Sequence, residues 1–154
     1  MRLRHGNMWR VFDDADLFVV TTNSVIKTSG ELVMGKGIAR QARDRFPHLA
    51  KRFGDEVRRM GDEPYGLITL LPFSGTDIDK MAAFQVKRHF MNMADIHLIE
   101  MSAAHLSEWG ERHPGAVIHM NFPGIGNGGL GVEDVLPVIH RMPDNVFVWT
   151  FKKI

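Results

Sequence analysis

The stretch LFVVTTNSVIKTSGELVMGKGIA, residues 17–39, decides the fold. Its first part, Leu17–Thr22, is a short apolar run rich in branched and aromatic residues, which predicts a buried strand. Its last part opens a segment, Gly35–Phe46, in which Ile38 and Ala42 recur at helical spacing until Pro47 ends the pattern. A buried strand that leads through a loop into a helix is the repeating unit of α/β proteins.

The rest of the chain repeats this alternation. Apolar runs predict further strands at residues 67–71, 81–86, 116–121 and 146–151, and periodic patterns predict helices at residues 48–60, 95–111 and 132–141. We therefore predict an α/β fold with a mostly parallel sheet covered on both faces, in one domain of residues 1–154. In such folds ligands bind beyond the carboxyl ends of the strands, where loops enter helices.

Composition excludes several classes of protein. The 154 residues are 44% hydrophobic and 24% charged, with 19 Lys and Arg against 18 Asp and Glu, and no Cys. Disulfide scaffolds, cysteine-ligated zinc and thiol nucleophiles are thereby excluded. No apolar run approaches the roughly 18 residues of a membrane span, and acidic residues follow the basic N-terminus where a signal peptide needs apolar ones. We expect a soluble, cytoplasmic monomer that does not bind membranes.

The histidines and methionines suggest no cofactor. His89, His97, His105 and His113 recur every eight residues, whereas two metal ligands on one helix need a spacing of three or four. We expect no metal and no cofactor. The ten methionines scatter through apolar faces and are interpreted as core filler.

The first candidate site segment is the loop that enters the helix after Leu17–Thr22. Asn23 follows the strand, and Gly35 and Gly37 stand where the helix begins. Paired glycines let the backbone approach a ligand, and helix N–H groups favour anions. The pattern is neither GxGxxG nor a P-loop. A plain strand-to-helix turn with a surface lysine explains it equally well.

The second candidate segment is FPGIGNGGLGVEDV, residues 122–135, which also links a strand to a helix. Five glycines fall within residues 124–131. A plain turn needs one or two, and each glycine costs backbone entropy on folding. The pattern favours a loop pressed against a ligand, with N–H groups that form an anion nest, over a simple flexible loop.

The third segment is FQVKRHF, residues 84–90, at the end of a predicted strand. Lys87 is placed where its side chain can enter a ligand cleft. A lysine there can bind phosphate, act as an amine nucleophile, or simply lie at the rim.

Basic residues crowd the two early helices. They can offset the charge of nucleic-acid phosphates, or form a solvated face balanced by Asp44, Asp55 and Glu56, and both readings stay open here. The residues are Lys36, Arg40, Arg43, Arg45, Lys51, Arg52, Arg58 and Arg59.

Taken together, these segments resemble the macrodomain family, which binds ADP-ribose, and most of all its DarG-type members, antitoxins that remove ADP-ribose from DNA. The resemblance implies a three-layer α/β/α fold with a mixed, mostly parallel sheet, and it spans nearly the whole chain. The segments that carry it are HGNMW (residues 5–9), VMGKGIARQARDRFP (33–47), FQVKRHF (84–90) and GNGGL (126–130).

The resemblance also implies residue roles. Lys87 matches the catalytic lysine, whose amine assists opening of the distal ribose at C1″ or attacks it. Asn23 would bond the distal ribose, and Asn7 with Met8 would contact the adenine end. The other implied ADP-ribose-binding residues are Met34, Gly35, Gly37, Ile38, Gly124, Ile125, Gly126, Asn127, Gly128, Gly129 and Leu130.

The implied function is that of an ADP-ribosyl glycohydrolase acting on thymidine-linked ADP-ribose in DNA. The alternatives are a non-catalytic ADP-ribose reader and a hydrolase of protein-linked ADP-ribose or ADP-ribose 1″-phosphate. The implied partners are ADP-ribosylated macromolecules, DNA before protein, and an ADP-ribosylating toxin. Two features depart from the family pattern. Residues 24–32 are longer than the usual link, and Gly128 stands where deacylating glycohydrolases carry an Asp.

Overall fold

The structure, a computed structural model, describes residues 1–70 and 76–154. Three 3₁₀ segments, Met8–Asp14, Asp77–Lys80 and Gly126–Gly128, join the main elements within these ranges. The strands are β1 (Arg2–His5), β2 (Leu17–Thr22), β3 (Leu67–Thr69), β4 (Met81–Gln85), β5 (Ile118–Asn121) and β6 (Val146–Thr150). The α-helices are α1 (Gly37–Arg45), α2 (Leu49–Met60), α3 (Ile96–Arg112) and α4 (Val132–Ile139).

The strands form one mixed sheet in the order β1-β6-β5-β2-β4-β3. Every pairing is parallel except that of β3 with β4. The predicted mixed, mostly parallel sheet is therefore confirmed. Because β1, β6, β5, β2 and β4 run the same way, their carboxyl ends meet at one edge, which is called the carboxyl edge below.

The central strand β2 shows why helices cover both faces. Phe18 and Val20 point into a core shared with α1 and α2, whereas Leu17 and Val19 point into a second core shared with α3 and α4. Alternate residues of a strand face opposite sides of the sheet, so a fully apolar strand needs a cover on each side. The predicted three-layer α/β/α architecture is confirmed.

Several predicted boundaries are corrected. Helix α1 begins at Gly37 rather than Gly35, and β5 begins at Ile118. β3 ends at Thr69, so the predicted strand is too long at Leu70, and its last residue, Leu71, lies outside the described part of the chain. β1 was not predicted at all. Its four residues are exposed and mostly polar, because it is an edge strand that the main-chain ladder to β6 holds in place.

Pro137 lies inside α4, although such a residue is tolerated best in a first turn. It stands in the last turn, two residues before the helix ends. A separate observation concerns membranes: no described helix combines the length and apolar character that crossing a bilayer requires.

Candidate functional site

The carboxyl edge brings the candidate segments together. Asn7 follows β1, Asn23 follows β2, and Lys87 lies two residues after β4. The glycine loop of residues 124–131 follows β5 and leads into α4. These segments are far apart in sequence and become neighbours only because parallel strands end on the same side.

The two glycine segments touch each other at Gly37. Its φ of +58° places it in the left-handed region, and a Cβ built on it would lie 3.4 Å from the side-chain nitrogen of Asn127. Helix α1 starts here without a side-chain cap hydrogen bond. The N–H groups of its first turn therefore face the junction of the two segments as donors for an anion.

The glycine loop is closed by its own backbone. The N–H of Leu130 donates to the carbonyl of Gly124 at 2.9 Å, and Gly124, Gly126 and Gly129 have positive φ. Gly126, Asn127 and Gly129 are exposed. The loop thus presents bare backbone at the carboxyl edge, which is what a phosphate-binding nest needs.

Two glycines of this loop serve packing. A Cβ on Gly124 would lie 2.6 Å from Cδ1 of Ile99, and one on Gly128 would lie 3.1 Å from the Cβ of Ala94. Both positions are buried. An aspartate at Gly128 would press its Cβ against Ala94, which would have to shift slightly to admit it.

Lys87 is held by its own loop. Its Nζ donates to the carbonyls of Phe90 at 3.4 Å and Asn92 at 3.1 Å. Partial burial lowers the pKa of the Lys87 amine, and the Lys36 ammonium lowers it further. The neutral, nucleophilic form is therefore more populated than in an exposed lysine.

Asn23 is buried and already bonded within the protein. Its Oδ1 accepts from the N–H of Val25 at 3.0 Å, and its Nδ2 donates to the carbonyl of Val33 at 3.2 Å. The amide thus ties the two ends of residues 24–33 together. Positioning this segment is its visible role, beside the ribose contact implied by the resemblance.

Residues 24–32, the segment longer than the family pattern, pack on α2. The N–H of Leu32 donates to the carbonyl of Ala50 at 2.9 Å, and Gly30 lies against Gly54 of the helix. At its start, both the N–H and the hydroxyl of Ser24 donate to the carbonyl of Arg88 at 3.0 Å. The segment therefore braces the loop that carries Lys87.

The remaining predicted contacts at the adenine end divide into exposed and buried residues. Asn7 is exposed, and its Oδ1 accepts from the N–H of Trp9 at 3.1 Å, which caps the 3₁₀ segment. Met8 and Met34 are only 4% and 1% exposed, and Ile38 packs partly into the same core. The side chains of Met8 and Met34 therefore support the site from below, and only their backbone can face a ligand.

Tyr65 is a site residue that sequence reasoning missed. It is buried under the end of β2, its hydroxyl donates to the carbonyl of Asn23, and it lies 2.5 Å from Oγ1 of Thr22. Burial raises the pKa of the phenol, so it stays a neutral donor. The available signal was weak: one tyrosine, the only one in the chain, before a short strand.

Replacing Tyr65 with phenylalanine is expected to lower the free energy of unfolding by about 1–3 kcal/mol, because it leaves buried polar groups unpaired. Urea unfolding measures this. Thr22→Val on the same background is the matched partner, and the double variant should lose less than the sum of the single losses. Unchanged stability of Tyr65→Phe would contradict this role.

The basic helix face is partly neutralised, because its paired cations share four acids, with Arg40 and Arg43 both on Asp44. Five of its eight cations form ion pairs, among them Arg43 with Asp44 at 3.1 Å and Arg59 with Glu56 at 3.1 Å. Arg45 lies over the ring of Trp9 at 4.2 Å. These contacts favour the solvated face over a surface that binds nucleic-acid phosphates.

A cavity of about 680 Å³ lies at the opposite edge, between the amino ends of β2, β4 and β5. Two of its acids have structural partners: Asp16 accepts from the N–H of Val117 at 2.7 Å, and Asp79 pairs with Arg52 at 2.7 Å. In the described residues, no group of three His, Asp or Glu side chains is arranged to hold a metal ion. The carboxyl edge therefore remains the candidate site.

Comparison with known proteins places the fold. No family model and no curated protein sequence matches the chain. Among solved structures, DarTG of Thermosipho africanus in complex with ADP-ribose matches with a TM-score of 0.80 at 24% identity, over 99% of this chain and 42% of that chain. The macrodomain of Thermus aquaticus DarG matches with a TM-score of 0.72 at 22% identity, over 99% of this chain and 97% of that chain.

The macrodomain of Mycobacterium tuberculosis DarG gives a third match, with a TM-score of 0.73 at 24% identity over 98% of this chain and 97% of that chain. The chain therefore has the macrodomain fold, and the predicted resemblance to DarG macrodomains is confirmed at the level of structure. This chain covers less than half of the DarTG chain but nearly all of each isolated macrodomain.

Proposed function

We propose that this chain is an ADP-ribosyl glycohydrolase that binds ADP-ribose and removes it from modified nucleic acid, with thymidine-linked ADP-ribose on DNA as substrate. The observation that carries the proposal is the Lys87 amine, partly buried and lowered in pKa, at the same sheet edge as the two glycine segments. The likeness to DarG macrodomains, one of them solved with ADP-ribose, supports it.

Binding would use backbone more than side chains. The exposed backbone at Gly126 and Asn127, together with the first turn of α1, suits a diphosphate, whereas the N–H of Gly129 already donates to the carbonyl of Gly126 at 3.0 Å. The exposed Lys36 ammonium adds a positive charge beside it. In this placement the adenine end lies toward Asn7 and the distal ribose toward Asn23 and Lys87.

The chemistry would centre on C1″ of the distal ribose. The neutral Lys87 amine attacks C1″, the bond from C1″ to the base breaks, and the base leaves with the bonding electrons and takes up a proton. Water then adds at C1″ and the amine departs, which yields ADP-ribose and regenerates the lysine. Holding C1″ next to the amine is the main contribution expected of the protein.

A reader module is the second candidate, and Gly128 favours it. The deacylating relatives place an Asp at this position, whereas glycine offers no acid here and a Cβ would contact Ala94 at 3.1 Å. Asp134 on the following helix is engaged, since its Oδ2 accepts from the N–H of Gly131 at 3.3 Å. Binding without turnover needs the glycine segments but no water-activating group.

The proposal also implies partners. Such a substrate forms only when an enzyme attaches ADP-ribose to the nucleic acid, so we infer an ADP-ribosylating toxin as the partner. The chain would act as a single domain of residues 1–154 and needs no cofactor for this reaction.

A panel of linkages tests the proposal. The purified protein is incubated with thymidine-modified single-stranded DNA, Glu-linked ADP-ribosyl protein and ADP-ribose 1″-phosphate, and released ADP-ribose is quantified. Release from the DNA alone is expected. Release only from protein or from the phosphate would replace the substrate class. Tight ADP-ribose binding in calorimetry without any release would establish the reader, and absence of binding would end both candidates.

A further inference from the structure

Exposed apolar side chains cluster beside Lys87. Seven large hydrophobic residues are exposed in the described part of the chain, and three of them fall within residues 90–93. Phe90 is 46% exposed, Met91 78% and Met93 63%. These methionines were expected in the core, and that prediction is wrong for them. Single exposed apolar residues are ordinary, but a cluster beside a site indicates a contact surface. Residues Phe90–Met93 are called the apolar rim below.

The apolar rim is fixed to both parts of the site. Its carbonyls at Phe90 and Asn92 receive the Lys87 amine. On its other side, the N–H of Ala94 donates to the carbonyl of Gly128 at 2.8 Å, and Met93 lies 3.4 Å from the place of a Cβ on Gly129. A group attached at C1″ next to the amine would therefore meet the rim first.

The rim also presents a flat aromatic face. The rings of His89 and Phe90 stack with centroids 4.3 Å apart and an angle of 28° between their planes. Nδ1 of His89 accepts from the N–H of Met91 at 3.0 Å, which fixes the imidazole ring. The pair forms a held platform whose exposed side can stack on a planar group, and methionine sulfurs make favourable contacts with such rings.

The charges around the rim select the kind of group. Residues 87–94 contain Lys87 and the exposed Arg88 and no carboxylate. The next acid, Asp95, is turned to the start of α3, where it accepts from the N–H of His97 at 2.8 Å. An apolar, flat surface next to the exposed Arg88 cation matches a nucleobase attached to an anionic backbone.

We propose that the apolar rim receives the leaving nucleobase of a single-stranded nucleic acid, with Arg88 beside its neighbouring phosphate. This subsite rests on the proposed function, because it places the scissile bond at Lys87. It makes Phe90 and Arg88 determinants of specificity that act on the part of the substrate beyond ADP-ribose.

The test compares binding of two probes to Phe90→Ala. Affinity is measured in the Lys87→Ala background to prevent turnover, by anisotropy with thymidine-modified single-stranded DNA and by calorimetry with free ADP-ribose. Phe90→Ala should weaken binding of the modified DNA about tenfold, the size of one lost base stack, and leave ADP-ribose affinity within about twofold. Phe90→Trp should restore binding. Met60→Ala, with 45% exposure on α2, is the matched control and should change neither affinity.

Arg88→Gln adds an independent readout. It should reduce the magnitude of the slope of log affinity for the modified DNA against log salt concentration by about 1, without changing the affinity for ADP-ribose. Equal losses for both probes would assign the rim a merely structural role and overturn the subsite, as would no loss for either. The two proposals can fail separately. If the protein releases ADP-ribose from no linkage but binds the modified DNA more tightly than ADP-ribose through Phe90, the glycohydrolase activity is contradicted and the subsite stands.

Discussion

Replacing Lys87 with alanine is expected to lower kcat/KM for release of ADP-ribose from modified DNA by about 10³-fold, within the range for a positioned catalytic group. The affinity for free ADP-ribose should change by less than about threefold. The reason is that the Lys87 amine bonds to the carbonyls of its own loop, while the surfaces proposed for the diphosphate are backbone of other segments.

The pH dependence gives a second readout of the same residue. Burial and the Lys36 ammonium both lower the pKa of Lys87, so the reactive neutral form appears at a lower pH than in an exposed lysine. kcat/KM should therefore rise with pH and level off below the ordinary lysine pKa. Lys36→Ala removes the like charge and should shift this limb to higher pH.

The matched control for both experiments is Lys51→Ala. It removes an exposed lysine whose ion pair with Asp55 on α2 is a weak surface contact, so activity and pH profile should stay unchanged. A Lys87→Ala variant that releases ADP-ribose as fast as the unmodified protein would remove the amine from the mechanism. If kcat/KM of Lys36→Ala rises over the same pH range as in the unmodified protein, only the proposed effect of Lys36 on the pKa of Lys87 is contradicted.

Replacing Gly54 with alanine is expected to destabilise the fold by about 3 kcal/mol. In an open helix interior this substitution is stabilising by about 1 kcal/mol, because alanine has the better helix propensity. Here a Cβ would lie 2.0 Å from the carbonyl oxygen of Gly30 and 3.0 Å from the N–H nitrogen of Leu32. Both are backbone atoms and cannot turn aside, so residues 24–32 must move off α2.

Urea unfolding measures the loss, and Gly115→Ala is the control. A Cβ on Gly115 meets no described atom within 4 Å, and its stability should stay within about 0.5 kcal/mol of the unmodified protein. Catalysis should fall as well, because Ser24 holds the carbonyl of Arg88 in the Lys87 loop. A Gly54→Ala protein as stable as the parent would show that the segment yields without cost.

The main layers of this fold were predictable because its central strands are apolar on both faces. The apolar run Leu17–Thr22 predicts a buried strand, and the helical spacing of Ile38 and Ala42 predicts the helix after it. β1 escaped prediction because an edge strand is held by main-chain bonds and needs no apolar pattern. Its polar, exposed residues gave periodicity nothing to detect.

The candidate site was likewise only partly predictable from the sequence. Glycine density located the loop of residues 124–131, but only packing showed that Gly124 and Gly128 face other side chains while Gly126 is open. Tyr65 and Gly54 act through contacts with Asn23 and Gly30, which are distant in sequence. Composition carries no trace of such pairs, so the tertiary structure is needed to find them.

The shared direction of the five parallel strands has a consequence for folding. Asn23, Lys87 and Asn127 become neighbours only after long crossover connections have closed, and such non-local closures are slow steps. A ligand that binds only the folded chain stabilises the whole fold by linkage, so tightly bound ADP-ribose should slow hydrogen exchange at β2 in the middle of the sheet as well as in the loops of the site.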